Sequence, residues 1–505
     1  MSGIEGLLGG FVIALQPVNL LWALLGVTVG TLIGVLPGVG PVSGIALLIP
    51  LTYGLNPISG IILLAGIYYG AMYGGSTTAI LAGIPGESSS VMTAVDGYEM
   101  TKQGRAGVAL GISAFGSFIA GTVGVLLLTL FAPLISRWAL KLGPPEFFLL
   151  MCLAFSLVAA LAGDSFVKGL ISAVLGLLLS TVGIDIFSGE PRFTMDLIGL
   201  IDGIEFLVVA IAVFAVADVI ENVQKGLSPL PKLKHVPLRQ MMPGWNDWKA
   251  SIGPILRATG LGFVVGALPG AGATIASFMS YGVEKSLSRE PWRFGRGAIE
   301  GVAAAESANN AASSGAMVPL ITLGIPGSGS TAVLLGAFIL FGIRPGPLLF
   351  EQHPDVAWGL IASMYVGNLM LLILNLPLIG LFVQVIRLPY ATLSLLILML
   401  SLLGVFANAA SSFGLVLLVF FGTCGWILRR AEFPMPPLLL GLVLGGLTEK
   451  TFRQAMLLSD DGLLIFVKSP LSTALTICLG AVFAYGAYRF LRSRMGSAEA
   501  AQPGA

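Results

Sequence analysis

Long apolar runs separated by short polar breaks dominate the chain. The clearest span residues 11–33, 108–134, 147–161, 169–187, 204–223, 358–386, 393–405, 413–428 and 471–491. A bilayer-crossing helix needs roughly 20 mostly apolar residues, so the pattern predicts about eleven to thirteen membrane segments, with the shorter runs tilted, paired or re-entrant. The expected fold is an all-α polytopic membrane protein. One sizeable hydrophilic stretch interrupts it, residues 225–251. It carries Lys225, Lys232, Lys234, Arg239 and Lys249 against the single acid Asp247, and is broken by Pro229, Pro231, Pro237 and Pro243. A basic, proline-broken stretch between two apolar halves is a linker, and the positive-inside rule places it in the cytoplasm.

The halves on either side of that linker repeat one another. Gly34-Val35-Leu36-Pro37-Gly38-Val39-Gly40 returns 232 residues later as Gly266-Ala267-Leu268-Pro269-Gly270-Ala271-Gly272. Gly83-Ile84-Pro85-Gly86 returns 241 later as Gly324-Ile325-Pro326-Gly327. Pro133-Leu134-Ile135 and Pro145 match Pro377-Leu378-Ile379 and Pro389, both 244 later. Four markers in one order, with slowly drifting offsets, indicate internal duplication, a common feature of transporter folds. The expected organisation is a first membrane repeat over 1–224, the cytoplasmic linker over 225–251, a second repeat over 252–491 and a tail over 492–505.

Charge placement orients the repeats. Residues 52–60, after the first Pro-Gly motif, contain no Lys or Arg, whereas 284–296 contain Lys285, Arg289, Arg293 and Arg296. Residues 185–202 are acidic (Asp185, Glu190, Asp196, Asp202), and the matching region carries Arg429 and Arg430. Opposite charge bias in corresponding loops predicts inverted repeats. If 225–251 and 284–296 share the cytoplasmic side, then 252–283 enters and leaves on that side as a re-entrant hairpin broken at Pro269-Gly270. By symmetry 18–53 is its partner from the other face, and the two Pro-Gly tips are expected to meet near mid-membrane.

Composition narrows the function. Charged residues make up 10% of the 505 residues, against about 25% in an average soluble domain. That excludes a soluble enzyme. The 67 glycines show no G-X-Y period, which excludes collagen. A net charge of +1 offers nothing to nucleic acid. Cys152, Cys424 and Cys478 lie in apolar runs without ligand or disulfide spacing. His235 and His353 stand apart beside prolines, so no metal site is expected. Residues 1–10 lack the positive region of a cleavable signal. An intramembrane enzyme is disfavoured because no Gly-x-Ser-x-Gly or His-Glu-x-x-His occurs.

Helix breaks inside a membrane are tolerated where they pack against protein or line a wet cavity. Freed amides at a half-helix N-terminus attract anions, and freed carbonyls at a C-terminus attract cations. This points to Pro37, Gly38 and Gly40, to Pro85 and Gly86, to Pro269, Gly270 and Gly272, and to Pro326 and Gly327; close helix packing by glycine is the alternative use. Polar side chains crowd the second break of each half: Ser76, Thr77, Thr78 and Ser88 in the first; Asn309, Asn310, Ser313, Ser314, Ser328 and Ser330 in the second. Such groups can bind carboxylates or line a sodium cage. Glu306, inside the second polar run, is the candidate for proton or cation coupling, since a buried acid in a membrane segment is a functional hypothesis by default. Asp164, Asp218 and Glu221 are weaker candidates, Asp164 reading as a helix end. Lys102 and Arg105, after Glu99, read as a cytoplasmic loop.

The segments Tyr69-Gly70-Ala71-Met72-Tyr73-Gly74-Gly75-Ser76-Thr77-Thr78 and Ala308-Asn309-Asn310-Ala311-Ala312, with the paired Leu-Pro-Gly and Gly-Ile-Pro-Gly motifs, resemble the large membrane subunit of tripartite tricarboxylate transporters. The similarity runs from about Gly10 to the last apolar run. The resemblance implies a secondary active symporter of the bacterial inner membrane, with a small four-helix membrane subunit and a periplasmic solute-binding protein as partners. It also implies coupling to Na+ or H+ with no further cofactor, and an organic carboxylate substrate that the motifs do not select. A passive anion channel and a stand-alone ion-coupled carrier are the competing functions.

Overall fold

The computed structural model describes residues 3–36, 40–161, 165–185, 187–225, 237–270, 272–378, 390–409 and 411–500. Nearly all of them are helical. The first half contributes α1 (Gly3–Ala14), α2 (Pro17–Val35), α3 (Pro41–Leu48), α4 (Pro57–Ala82), α5 (Val91–Lys102), α6 (Ala106–Ala139), α7 (Pro144–Leu161) and α8 (Phe166–Ser180). A two-residue hairpin, β1 (Gly183–Ile184) with β2 (Pro191–Arg192), leads to α9 (Phe206–Ile211), which passes through a π-turn at Ala212–Val216 into α10 (Ala217–Lys225). The second half contributes α11 (Trp245–Gly266), α12 (Gly272–Leu287), α13 (Ile299–Leu323), α14 (Gly329–Leu340), α15 (Leu349–Gln352), α16 (Pro354–Asn375), α17 (Tyr390–Ala409), α18 (Ser412–Arg430), α19 (Met435–Leu457) and α20 (Pro470–Ala500).

Eight of the described helices are long and apolar enough to cross a membrane, and five shorter apolar helices accompany them. The chain is a multi-pass, all-α membrane protein. The first apolar run is not one span: it divides at Gln16-Pro17, because Pro17 lacks an N–H and is suited to begin a helix rather than continue one. The 25-residue α13 is missed by apolarity alone because its buried length is lined with Ser, Asn and Glu.

Helix pairing is set by glycine. Along α2, Gly26, Gly30 and Gly34 lie against the backbone of Leu63, Ile67 and Ala71 of α4, while Gly66, Gly70 and Gly74 of α4 lie back against α2. The pair is parallel, since contacts ascend together. The second half repeats the arrangement: Gly262 and Gly266 of α11 meet Ala308 and Ala312 of α13, and Gly315 meets Phe263 and Ala267. Backbones brought this close gain dispersion over many atoms at little side-chain entropy cost, the usual basis of helix association in lipid. In each half a left-handed glycine then ends the long helix, Gly83 and Gly324 both at φ +70°. The next amide reaches back six residues in both: Ile84 N–H to Thr78 (3.4 Å) and Ile325 N–H to Pro319 (3.1 Å). The glycine amides themselves close the last turn on Ala79 (3.2 Å) and Leu320 (3.1 Å), the αL ending that a C-terminal glycine permits.

The helices on either side of these breaks, α4–α5 and α13–α14, run antiparallel. Gly60 packs on Phe341, Tyr68 Oη lies 3.4 Å from Ser328 Oγ, Ser76 meets Glu306, and Asp96 meets Ala298. Gln103 Nε2 reaches the Arg296 carbonyl at 2.8 Å. The α11–α12 segment folds back on itself, Arg257 holding Glu284 through two 2.7 Å bonds. Arg105 pairs with Asp247 at 2.7 Å, so the polar segments 99–105, 237–249 and 284–296 are linked on one face.

The described residues form two compact units, and these do not follow the sequence halves. The larger combines Met1–Arg137 with Leu207–Trp426, and the smaller combines Trp138–Phe206 with Ile427–Ala505. In the larger, one apolar cluster of Val35, Ile80, Met100, Ile112, Ile255 and Val302 ties α2, α4, α5, α6, α11 and α13 together. Partners are exchanged within it: α1 packs on α16 through Gly6, Gly10 and Trp358, while Gln240 and Met241 pack on Gly107 and Gly111 of α6. In the smaller unit, Gly176 of α8 and Gly441 of α19 let those helices touch backbone to backbone. Phe148, Phe452 and Phe466 stack nearby. Arg192 and Arg453 link Asp185 to Glu449 and so hold the β-hairpin on α19.

Candidate functional site

The most polar part of the larger unit is where α13 crosses α4, α5 and α6. Glu306 is fully buried there. Its Oε2 accepts the hydroxyl of Ser76 from α4 and that of Ser117 from α6 (3.5 Å), and its Oε1 accepts the hydroxyl of Thr93 from α5. Asn310, one turn further along α13, donates to Ser117 Oγ at 2.8 Å, to the Glu306 carbonyl at 3.1 Å and to Asn309 Oδ1 at 2.6 Å. That last bond fixes the Asn309 amide with its oxygen toward Asn310, and Asn309 Nδ2 is left buried without a hydrogen-bond partner. The Ser307 hydroxyl and the Tyr69 phenol are unpartnered as well.

No Lys or Arg among the described residues forms an ion pair with Glu306. Burying an ionised carboxylate costs several kcal/mol after relaxation, and a hydrogen bond to a charged group contributes about 1.5–3 kcal/mol. Hydroxyl donors from three helices therefore offset much of the desolvation but leave the charge uncompensated. A proton or a monovalent cation would compensate such a charge. The Glu306 carboxylate and the hydroxyls of Ser76, Thr93 and Ser117 offer oxygen, which suits a hard cation. No group of three or more His, Cys, Asp or Glu that could hold a metal occurs among the described residues.

The remaining predicted residues divide by what they touch. Pro37 and Gly38 lie outside the described residues, as does Asp164. Gly40 opens α3 at φ +34°. Thr77 and Thr78 are buried beside Ser76, Thr78 bonding back to the Gly75 carbonyl at 3.3 Å. The break at Pro85-Gly86 is closed by the Gly86 amide on the Gly75 carbonyl, and Gly86 lies against Gly34. Gly327 lies in the same way against Gly266 and Ala316. Pro269-Gly270 joins Pro326-Gly327 through a 3.0 Å bond from the Gly270 amide to the Gly327 carbonyl. Gly272 begins α12 at φ +58°, where an added Cβ would stand 3.6 Å from Ser328 Cβ. Ser88, from the first half's break, shares a 2.8 Å hydrogen bond with Thr274 near the start of α12. Ser328 caps α14 reciprocally with Thr331. Ser330 is buried in the first turn, and Ser314 packs beneath Gly124. Ser313 bonds its own helix at the Asn310 carbonyl, 2.7 Å away.

Of the other acids, Asp218 accepts Ser43 of α3 at 2.7 Å, just past the first helix break. Lys102 pairs with Glu99 and Arg105 with Asp247, away from Glu306. Thr93, Ser117 and Asp96 were not singled out from the sequence. Each is an isolated polar residue among apolar or amphipathic neighbours, and only the packing shows what it meets.

The comparisons agree with this architecture. Residues 20–440 match the tripartite tricarboxylate transporter TctA family. The chain belongs to this family. An Agrobacterium vitis protein named "Uncharacterized 52.8 kDa protein in TAR-I ttuC' 3'region" is 47% identical over 478 residues, 94% of each chain. Another from Agrobacterium vitis, "Uncharacterized protein in TAR-II ttuC' 3'region", is 47% identical over 214 residues, 42% of this chain and 88% of that relative. No solved structure matches the chain. TctA is a transporter family, and Glu306 with its hydroxyl donors lies well inside the matched residues.

Proposed function

We propose that the chain is the large membrane subunit of a tripartite, ion-coupled secondary transporter that imports organic di- or tricarboxylates across the bacterial inner membrane. A periplasmic solute-binding protein would deliver the anion, and a small four-helix subunit would complete the complex, as in other TctA systems. The observation that carries this reading is the buried Glu306, held by hydroxyls from three helices and lacking a cationic partner. Coupling follows from its chemistry. An ionised Glu306 accepts the Ser76, Thr93 and Ser117 hydroxyls; a protonated one must donate to one of them, and a bound Na+ would take their oxygens as ligands. In either case α4, α5 and α6 gain a different bonding pattern on α13.

The substrate carboxylate would bind nearby, using Asn309 Nδ2 and the hydroxyls at the two second breaks. No Lys or Arg occurs between residues 3 and 101 or between 297 and 343, so the co-bound cation would supply the positive charge. Matched local geometry at Gly83 and Gly324, and at Gly86 and Gly327, supports two homologous repeats. The antiparallel course of the broken helices supports an inverted relation between them. The segments that join 99–105, 237–249 and 284–296 would be cytoplasmic, with α11–α12 re-entrant from that side.

The test is uptake of a panel of labelled carboxylates by proteoliposomes containing the complex and its binding protein. Accumulation against a gradient, abolished by an ionophore, is expected. Glu306→Gln should abolish ion-driven accumulation while substrate exchange persists. Downhill flux alone in the wild type, insensitive to Na+ and H+ gradients, would refute coupling.

A further inference from the structure

We infer that Asp96 is a positioning residue for the coupling site: from the opposite half of the chain it anchors the turn that leads into α13 and so sets Thr93 against Glu306. The inference rests on the transport reading above. Asp96 is fully buried in α5. Its Oδ1 accepts three backbone amides, Gly295 (2.8 Å), Gly297 (2.8 Å) and Ala298 (2.9 Å), and its Oδ2 accepts the Tyr281 hydroxyl at 2.8 Å. These three amides belong to the turn that leads into α13, which begins at Ile299, and a carboxylate beside a helix N-terminus is favoured by the helix dipole. Asp96 gathers them from about 200 residues away in sequence, and Gly295 and Gly297, at φ +86° and +95°, bend the chain so that the amides converge on one oxygen.

Thr93 stands three residues before Asp96, on the same face of α5. The two bonds hold the same stretch of chain: Asp96 at Ala298, immediately before α13, and Thr93 at Glu306 within it. Eight residues of helix rise about 12 Å, and side chains on a helix lean toward its N-terminus, so the Glu306 carboxylate reaches back toward Thr93. The Asp96 anchor is thus the fixed end of a short lever, and the Thr93–Glu306 bond is the end that ion binding changes. Without the anchor, α5 is free to slide along α13 and the third hydroxyl leaves the site. A purely structural anchor would affect folding and leave ion affinity alone.

The experiment measures the Na+ concentration (choline replacing Na+) and the H+ concentration that give half-maximal uptake, using the carboxylate that the wild-type complex accumulates, for membranes with matched protein levels. Asp96→Ala should raise the half-maximal concentration of the driving ion about tenfold, the size expected from losing a hydrogen bond to a charged group. The half-saturating substrate concentration at saturating ion should be unchanged. In a Thr93→Ala background, Asp96→Ala should add no further shift, because both act on one bond. If Asp96→Ala does not accumulate in membranes, Asp96→Asn and Tyr281→Phe carry the test, with smaller shifts in the same direction. Wild-type ion dependence in these variants, or a full additive shift in the Thr93→Ala background, overturns the inference. Unaltered ion dependence in Thr93→Ala and Glu306→Gln themselves would instead sink the transport site, whatever Asp96 does.

Discussion

Two glycines of α11, six residues apart, should respond oppositely to the same substitution. A Cβ at Gly266 would stand 2.5 Å from Ala312 Cα and 2.7 Å from Ala312 C, where ordinary contact begins at 3.4 Å. The shortfall from 2.5 Å is 0.9 Å, and the obstructing atoms are backbone, so no rotamer change relieves it. A Cβ at Gly260 meets nothing within 4 Å. Overpacking of a tight contact costs about 1–3 kcal/mol, and rigid backbone on both sides places Gly266→Ala in the upper part of that range. Gly to Ala within a helix gains up to about 1 kcal/mol. Gly266→Ala should therefore be destabilising by about 1–2 kcal/mol net, and Gly260→Ala neutral to stabilising by up to about 1 kcal/mol. Thermal or denaturant unfolding of the purified variants in one detergent measures the difference. Because Gly327, in the second break, packs against the Gly266 carbonyl, transport by Gly266→Ala should fall as well. Equal unfolding midpoints for the two variants would refute the backbone-to-backbone seam.

Other substitutions test other parts of the fold. Arg257→Gln leaves Glu284, only 4% exposed, without its bidentate partner, while the guanidinium itself is half exposed. Stability should fall by about 1–2 kcal/mol after discounting the fully buried case for that exposure, and Arg257→Gln/Glu284→Gln should recover most of the loss in the same unfolding assay. Asn310→Ala removes the donor that orients both Ser117 and Asn309. Uptake titrations should show weaker apparent affinity for substrate and for the coupling ion, linked because coupling free energy is reciprocal. Thr77→Ala should follow the same direction with a smaller effect, since Thr77 is buried beside Ser76 but does not donate to Glu306; normal transport at sub-saturating substrate and ion in both variants would misplace the site.

What the sequence makes legible here is what proline and glycine mark. The breaks at Pro85-Gly86 and Pro326-Gly327 announce themselves as repeated motifs, because only those residues end a membrane helix so abruptly. The polar run around Asn309 and Asn310 stands out against apolar surroundings, and Glu306 with it. Thr93 and Ser117 carry no such mark: a single hydroxyl in a membrane helix usually bonds its own backbone, and only tertiary packing turns these two toward an acid. Asp96 is hidden differently. It shares α5 with Glu99 and Lys102, whose exposed pair gives the helix the pattern of an ordinary amphipathic surface element. The division into units is invisible for a third reason. Helix partners exchanged between halves leave no trace in periodicity, which records which face is buried and not what buries it.

The exchange of partners also imposes a timetable on synthesis. In the smaller unit, Gly176 of α8 meets the backbone of Leu438, which is translated 262 residues later. At about 5–20 residues per second, the gap lasts from roughly a quarter of a minute to nearly a minute. Throughout it, α7 and α8 are already made while α19, the helix they pack against, is not. Neither half of the gene therefore encodes a product that can finish folding by itself. Separating the two halves of the chain would leave α8 and α19 each with a glycine seam and no surface to close it.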